Sequence, residues 1–314
     1  MKKKTKVIIL ILLFTLFVSG CGNSKYLTDK DNKRIINEST GQSLRTDILC
    51  KPENKDTLKI YEEAKEDLDI EIEKLPDCKN IKIYDSDHYT GLWANLFVIP
   101  LAWVIIKVGL LVKNYGIAIM LVGILIRVVL TPLTIKTAKQ NQNMVKAQPE
   151  LDRLEKKYEG KDDSDAMMQK SQEMLAIYKK HKINPVTSCL TAFIQLPLFL
   201  AFLQAVNRIP AIFEEKLFTL ELGKTPLVGL KDGNYFYIIL IVLIIATTYF
   251  SFKYSMNSSS GSTEQKNQMK FMTNFMLVFI SIASFSLPTA IAFYWVSTNA
   301  FVFVQNYIIR KRSS

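Results

Sequence analysis

The apolar residues of this chain arrive in blocks, and the blocks limit what it can fold into. Runs of about 20 residues, the length that crosses the hydrocarbon core of a bilayer, alternate with loops that hold nearly all the charge. A soluble chain of 314 residues with 49% hydrophobic content would instead spread its apolar residues as periodic faces on many short elements. The pattern therefore specifies an all-α polytopic membrane protein, in which every backbone polar group is satisfied within a helix.

The net charge of +11 does not point to nucleic acid. Lys and Arg lie mainly in loops flanking the apolar runs, as the positive-inside rule expects, and the longest polar loop interleaves them with Asp and Glu. That is unlike a phosphate-binding stripe, so no direct DNA binding is expected.

The first 20 residues read as an address. Lys2, Lys3, Lys4 and Lys6 precede an apolar run from Val7 to Phe17 that is too short to span stably. Val18-Ser19-Gly20-Cys21 then resembles a bacterial lipobox, which implies cleavage before Cys21 and covalent lipid on it. Two acyl chains hold a protein firmly at a membrane. Residues 21–90 are polar and mixed in charge, and read as a lipid-anchored tether outside the cytoplasm with some local structure. A helix over Thr57–Leu75 would place Leu58, Tyr61, Lys65, Leu68 and Ile72 on one side. Cys50 and Cys78 lie in this segment, where a disulfide is permitted but not demanded. Cys189 reads as a small packing residue. No metal-ligand spacing appears, and His88 and His181 are the only histidines.

Charge asymmetry orders the rest. If residues 91–113 crossed the membrane, the Lys-rich loop 136–183 would be exported, against the positive-inside rule. The segment, with Trp93, Pro100, Trp103 and Lys107, is therefore expected to lie at the outer interface as an amphipathic helix. Five spans follow, at about 116–135, 185–206, 235–252, 271–287 and 289–309. Between the first two, residues 138–182 carry helical periodicity. Ala147, Leu151, Leu154 and Tyr158 mark one helix and Met168, Leu175 and Tyr178 a second, predicting a cytoplasmic helical hairpin. The C-terminal Arg310-Lys311-Arg312 falls inside.

Arg127 is the residue that chemistry singles out. It lies nine residues before Lys136, about 13 Å from the cytoplasmic end of its span. An Arg at that depth costs at least about 2.5 kcal/mol and normally faces protein or a watery cavity. The proposed spans contain no Asp or Glu, so a hydrated recess or an arriving acidic partner is implied. Gln195, Gln204, Ser281, Ser284, Thr298 and Asn299 could line such a recess, although each alone is more often helix–helix glue.

Three motifs in order resemble one family. Gly116-Ile-Ala-Ile-Met-Leu-Val-Gly-Ile-Leu-Ile-Arg127, with Pro132 beyond it, is similar to the first span of the YidC/Oxa/Alb insertases. Asn184-Pro185, Cys189-Leu190 and Ile194-Gln195-Leu196-Pro197-Leu198-Phe199 resemble the second span. Pro288 to Tyr294-Trp295 and Asn299, then Gln305, resemble the last. Departures at Thr187, Ser188 and Thr289 are small-for-small changes at packing positions, while Thr191 stands where the family has proline. The resemblance covers about 92–310 and implies an insertase and chaperone for membrane proteins, with five spans around a hydrophilic groove. In that groove Arg127 attracts the client and Gln195 and Asn299 hydrate it, while Tyr294 and Trp295 form a greasy slide or pack the core. It further implies nascent membrane proteins, the Sec translocon and ribosomes as partners, membrane lipids around it, and no cofactor beyond the lipid on Cys21. The location is the bacterial cell membrane, with the N-terminus outside and the C-terminus cytoplasmic. An anion-handling transporter or channel is the alternative. An enzyme is disfavoured, because Gly223-Lys224-Thr225 echoes a phosphate loop that lacks its first glycine.

Overall fold

The computed structural model describes residues 26–83 apart from 30, 39, 69 and 70, then 91–257 apart from 162, and 263–313. The leader, Cys21 and His88 lie outside the described residues. Residues form two compact units, and four helices contribute to both.

The first unit holds residues up to 123, 196–241 and 284–295. Its N-terminal segment carries more structure than a tether. A hairpin of β1 (Ile36–Asn37) and β2 (Gln42–Ser43) pairs Ile36 with Ser43 and Asn37 with Gln42. Helix α1 (Lys55–Glu63) begins where the Asn54 carboxamide oxygen accepts from the Asp56 and Thr57 amides. Leu27, Leu44, Ile48, Tyr61, Ile72 and Leu75 close into a core, and Cys50 and Cys78 form a disulfide. That crosslink explains why the expected helix over 57–75 is cut short. A straight helix of that length would be about 28 Å long, yet the two cystine Cα atoms stand 4.8 Å apart. The chain therefore turns back through 3-10 turns at Lys65–Asp67 and Ile72–Lys74.

Residues 94–112 form one continuous apolar helical stretch, a π-helical turn at Ala94–Val98 leading into α2 (Ile99–Val112). The stretch is long and apolar enough to cross a membrane. Val98, Ile99, Ala102, Ile105, Ile106 and Gly109 make its buried face. At Gly109 any side chain would strike the Tyr115 ring, so the glycine sets how closely the next helix, α3 (Tyr115–Val129), approaches.

Helix α4 (Thr131–Lys157) follows at 56° to α3. The span expected at about 116–135 thus runs through a break. Pro132 has no amide hydrogen, and its ring opposes the carbonyl one turn back. A threonine hydroxyl supplies part of what the break removes: Thr131 donates to the Arg127 carbonyl at 3.1 Å.

The second unit holds 124–195, 242–283 and 296–314. Within it α4 and α5 (Ser164–Lys180) pack side by side. Gly160 takes a left-handed turn at φ 74°, and Asp163 caps α5 by accepting from the Ala166 amide. Ala147 and Leu151 meet Tyr178 and Ile183, while Leu154 and Tyr158 meet Ala166. Met168 and Leu175, expected on the inner face, are exposed; Met174 and Ile177 take their place.

The remaining elements are α6 (Pro185–Asn207), α7 (Pro210–Phe213), β3 (Lys216–Leu217) paired with β4 (Leu220–Glu221), α8 (Pro226–Lys231), α9 (Phe236–Asn257), α10 (Thr263–Ala283) and α11 (Thr289–Ser313). Helix α9 also has a window apolar and long enough to span. Large apolar side chains stand exposed along α9, α10 and α11, among them Val242, Phe275, Val278, Ile282 and Ile308. Faces of that kind are stable in lipid rather than water.

Replacing Cys50 and Cys78 with serine is expected to cost the N-terminal segment about 3–4 kcal/mol, from closure of a loop of that length. Limited proteolysis with and without reductant checks this. Faster cleavage within 26–83 on reduction is expected, and unchanged cleavage would show that the core holds without the crosslink.

Candidate functional site

Arg127 is not simply a cation midway along a span. It occupies the last turn of α3, immediately before the break. The last carbonyls of a helix carry its partial negative charge, which stabilises a nearby cation. The residue is half-buried. The bend therefore does two things at once: it breaks a helix at depth, and it ends that helix beside a positive charge.

A seam of hydrogen-bonded polar side chains runs through the second unit. Gln305 of α11, nearly buried, donates to the Thr131 hydroxyl at 2.8 Å. Thr131 in turn donates to the Arg127 carbonyl, so α11 is tied directly to the bend. Further along α11, the Asn299 carboxamide donates to the Thr248 hydroxyl of α9 at 3.1 Å. Thr248 and Ser251 are fully or nearly buried on α9, as is Thr298 on α11. Gln195 is half-buried on the α6 portion of the same unit. Arg127, Gln195 and Asn299 thus belong to one unit.

Other expected residues behave differently. Tyr294 is buried and stacks on Phe202 at 3.9 Å between centroids. Trp295 meets Phe199 edge-on at 5.0 Å and stays half-buried. Both belong to the first unit, and the geometry of Tyr294 is that of a packing residue. Gln204 accepts a hydrogen bond from the Trp93 indole at 3.1 Å, and Trp93 is buried rather than displayed. Ser281 donates to the Leu277 carbonyl of its own helix. Thr131 and Thr248 were not singled out from sequence. A threonine directly before a proline in an apolar run was the available signal for the first; Thr248 carried none.

The hairpin is tied by ion pairs at its edges. Lys157 and Lys180 approach Glu173 and Glu150 at 2.6 and 2.8 Å, and His181 also reaches Glu150, at 3.0 Å. Hydrogen bonds from Lys180 and His181 hold the Glu150 carboxyl below the ordinary carboxylate range. Those from Lys157 and Tyr158 do the same for Glu173. These pairs are solvent-facing, and each adds little by itself.

In the first unit the N-terminal segment docks on the loops around 207–225. Arg45 and Arg208 both engage the buried Asp47 carboxylate, each at 2.7 Å. The Leu49 amide donates to the Arg208 carbonyl, the Thr225 amide to that of Thr40, and the Glu53 amide to the Glu214 carboxylate. Burial pushes the Glu214 carboxyl up from its usual range. Lys224 is held by Glu221 and Asp232, so Gly223-Lys224-Thr225 is a structural turn rather than a phosphate cradle. Among the described residues, no group of three or more His, Cys, Asp or Glu could hold a metal.

Comparison with known proteins adds a family. Residues 107–314 match the family model described as 60Kd inner membrane protein. The chain is 32% identical over 244 residues to the membrane protein insertase YidC of Oceanobacillus iheyensis, covering 76% of this chain and 91% of that protein. It is 33% identical over 240 residues to the membrane protein insertase MisCA of Bacillus subtilis, covering 75% and 86% respectively. With YidC of Alkalihalophilus pseudofirmus the identity is 37% over 220 residues, covering 69% and 81%. Residues 26–83, with their disulfide, precede the family match.

Gln305→Leu removes the bond between α11 and the bend while keeping most of the volume. Interhelical hydrogen bonds in membrane proteins average about 0.6 kcal/mol. A loss of that order is expected in the unfolding equilibrium in detergent, and a loss above about 2 kcal/mol would mean that the bend itself depends on this contact.

Proposed function

Since the chain belongs to the 60Kd inner membrane protein (YidC/Oxa) family and is a membrane protein insertase, we propose that it inserts clients through a hydrated, positively charged recess centred on Arg127. In this proposal the spans are the broken α3–α4 unit and then α6, α9, α10 and α11. The lipid-anchored N-terminal segment is outside and the tail is inside. The Cys50–Cys78 disulfide supports that orientation, because such bonds persist in oxidising compartments. Lys253 near the end of α9, Lys266 and Lys270 near the start of α10, and the Arg310-Lys311-Arg312 tail support it from the other side.

Residues 94–112 lie at the outer interface in this proposal, although they are long enough to cross. Two contacts support the flat orientation. Near one end Trp93 donates to Gln204, close to the terminus of α6. Toward the other, the Lys107 ammonium donates to the Lys79 carbonyl of the external segment at 3.3 Å. Partners at Trp93 and Lys107, about 20 Å apart along the axis, support a helix lying along the outer surface rather than one that crosses.

The observation that carries the recess is the position of Arg127 in the last turn before a broken helix. A client with an acidic external part must take negative charge through hydrocarbon, at about 2.5–3.5 kcal/mol for one Asp on insertion scales. A fixed cation among water and amide groups lowers that barrier by transient pairing, while the client's apolar part partitions into lipid. Gln195 and Asn299 hydrate the recess, and the α4–α5 hairpin receives the client on the cytoplasmic side. Apolar partitioning and the membrane potential drive the reaction. The Sec translocon and ribosomes are the further partners proposed, and Cys21 carries the lipid. No observation favours the anion-transport reading over insertion.

Arg127→Ala is expected to slow insertion of acidic-tailed clients at least about fivefold, the effect of recovering roughly 1 kcal/mol of that cost. Neutral-tailed clients should be little changed. Protease protection in proteoliposomes reads both, and equal insertion of acidic clients by both proteins would remove Arg127 from the mechanism.

A further inference from the structure

Between α4 and α11 of the second unit lies a cleft of about 510 Å³. Its walls are mostly apolar, with Ile135 from α4 and Phe301, Val304 and Ile308 from α11. Three uncharged polar side chains also line it, Thr131, Gln142 and Gln305, and the first and last are bonded to each other. Lys139, exposed, stands two turns past Thr131 on α4. Past Ile309 of the wall the chain continues as Arg310-Lys311-Arg312. The apolar wall therefore leads toward cationic residues on both helices.

We propose that this cleft binds one anionic phospholipid of the cytoplasmic leaflet, with an acyl chain along Ile135, Phe301 and Val304 and the phosphate beside Lys139. The proposal rests on the orientation given above. Dimensions favour a lipid over a client. Phe301 to Ile309 covers about 12 Å of helix axis, within the roughly 15 Å of one leaflet's hydrocarbon and well short of the roughly 30 Å that a spanning client must cross. A 20-residue helix, about 30 Å long and 10–12 Å wide, fills on the order of 2,500 Å³, several times the cleft. A single hydrocarbon chain fits where a helix does not.

Charge selects the headgroup. A zwitterionic lipid gains nothing net from a lone ammonium, whereas an anionic one is favoured about fivefold by each Lys near the membrane surface. Lys139 forms no ion pair among the described residues, and it stands two turns past Thr131 on the same helix. The site differs from the recess in what it asks of its occupant. The recess must release a client, while the cleft can retain a lipid that fills the space between α4 and α11 and so holds the bend in place.

The test is native mass spectrometry of the full chain, released from detergent micelles containing equal amounts of phosphatidylglycerol and phosphatidylethanolamine. One retained phosphatidylglycerol is expected, preferred about fivefold. Lys139→Glu should abolish the preference, and Val304→Trp, which fills the cleft at an exposed position, should abolish retention of either lipid. Equal retention of both lipids by the unaltered chain, or an unchanged preference in Lys139→Glu, would overturn the proposal. So would displacement of the lipid by an added apolar client peptide, which would make the cleft part of the client's path. The readout needs no client insertion. An insertase without lipid preference contradicts the cleft alone, and lipid preference without insertion contradicts the function alone.

Discussion

A peptide group without a hydrogen-bond partner costs several kcal/mol in hydrocarbon, and this chain meets that constraint most sharply at Leu130–Pro132. An unbroken helix there would satisfy its backbone and present Arg127 to whatever surrounded it. Pro132 ends α3 instead, and part of the cost is met locally by Thr131. The break leaves a helix terminus beside a cation, ties α11 to the bend through Gln305, and starts α4 on the 56° path that leads into the hairpin. The bend, its tie to α11 and the direction of α4 follow from one residue without an amide hydrogen.

The first unit shows a different economy. Residues 26–83 have too few apolar side chains to be stable as a large core, and they compensate with a disulfide and with contacts to the loops around 207–225. The Asp47 carboxylate, shared between Arg45 and Arg208, is buried with two cations and so is not left uncompensated. This segment precedes the family match, which is why the relatives illuminate the helices and not the cap.

Much of the helical architecture was legible because lipid imposes a simple code. Apolar blocks of spanning length, interrupted by basic loops, need no tertiary knowledge to read, and an Arg within such a block stands out at once. The inner face of α4 was equally plain, since Ala147, Leu151, Leu154 and Tyr158 repeat regularly and are buried. On α5 the same reasoning misplaced Met168 and Leu175, since Ala166, Met174 and Ile177 are the residues packed inward. Small and flexible residues carry a weak periodic signal. The fold of 26–83 was hidden for another reason: its core residues are scattered over some 50 positions, and whether two thiols would pair was open. The hydrogen-bonded seam was half visible, since amides in apolar runs attract notice while threonines do not.

The central claim is that water reaches Arg127 and Asn299 from the cytoplasmic side. A single cysteine placed at Asn299 in a Cys189→Ser background, exposed to a membrane-impermeant thiol reagent, measures this most directly. Val129→Cys, on an exposed face of α3 just past Arg127, serves as the lipid-facing control. The account predicts rapid alkylation at position 299 and protection at 129. Protection at both would mean that the seam is dry helix–helix glue and that no hydrated recess exists.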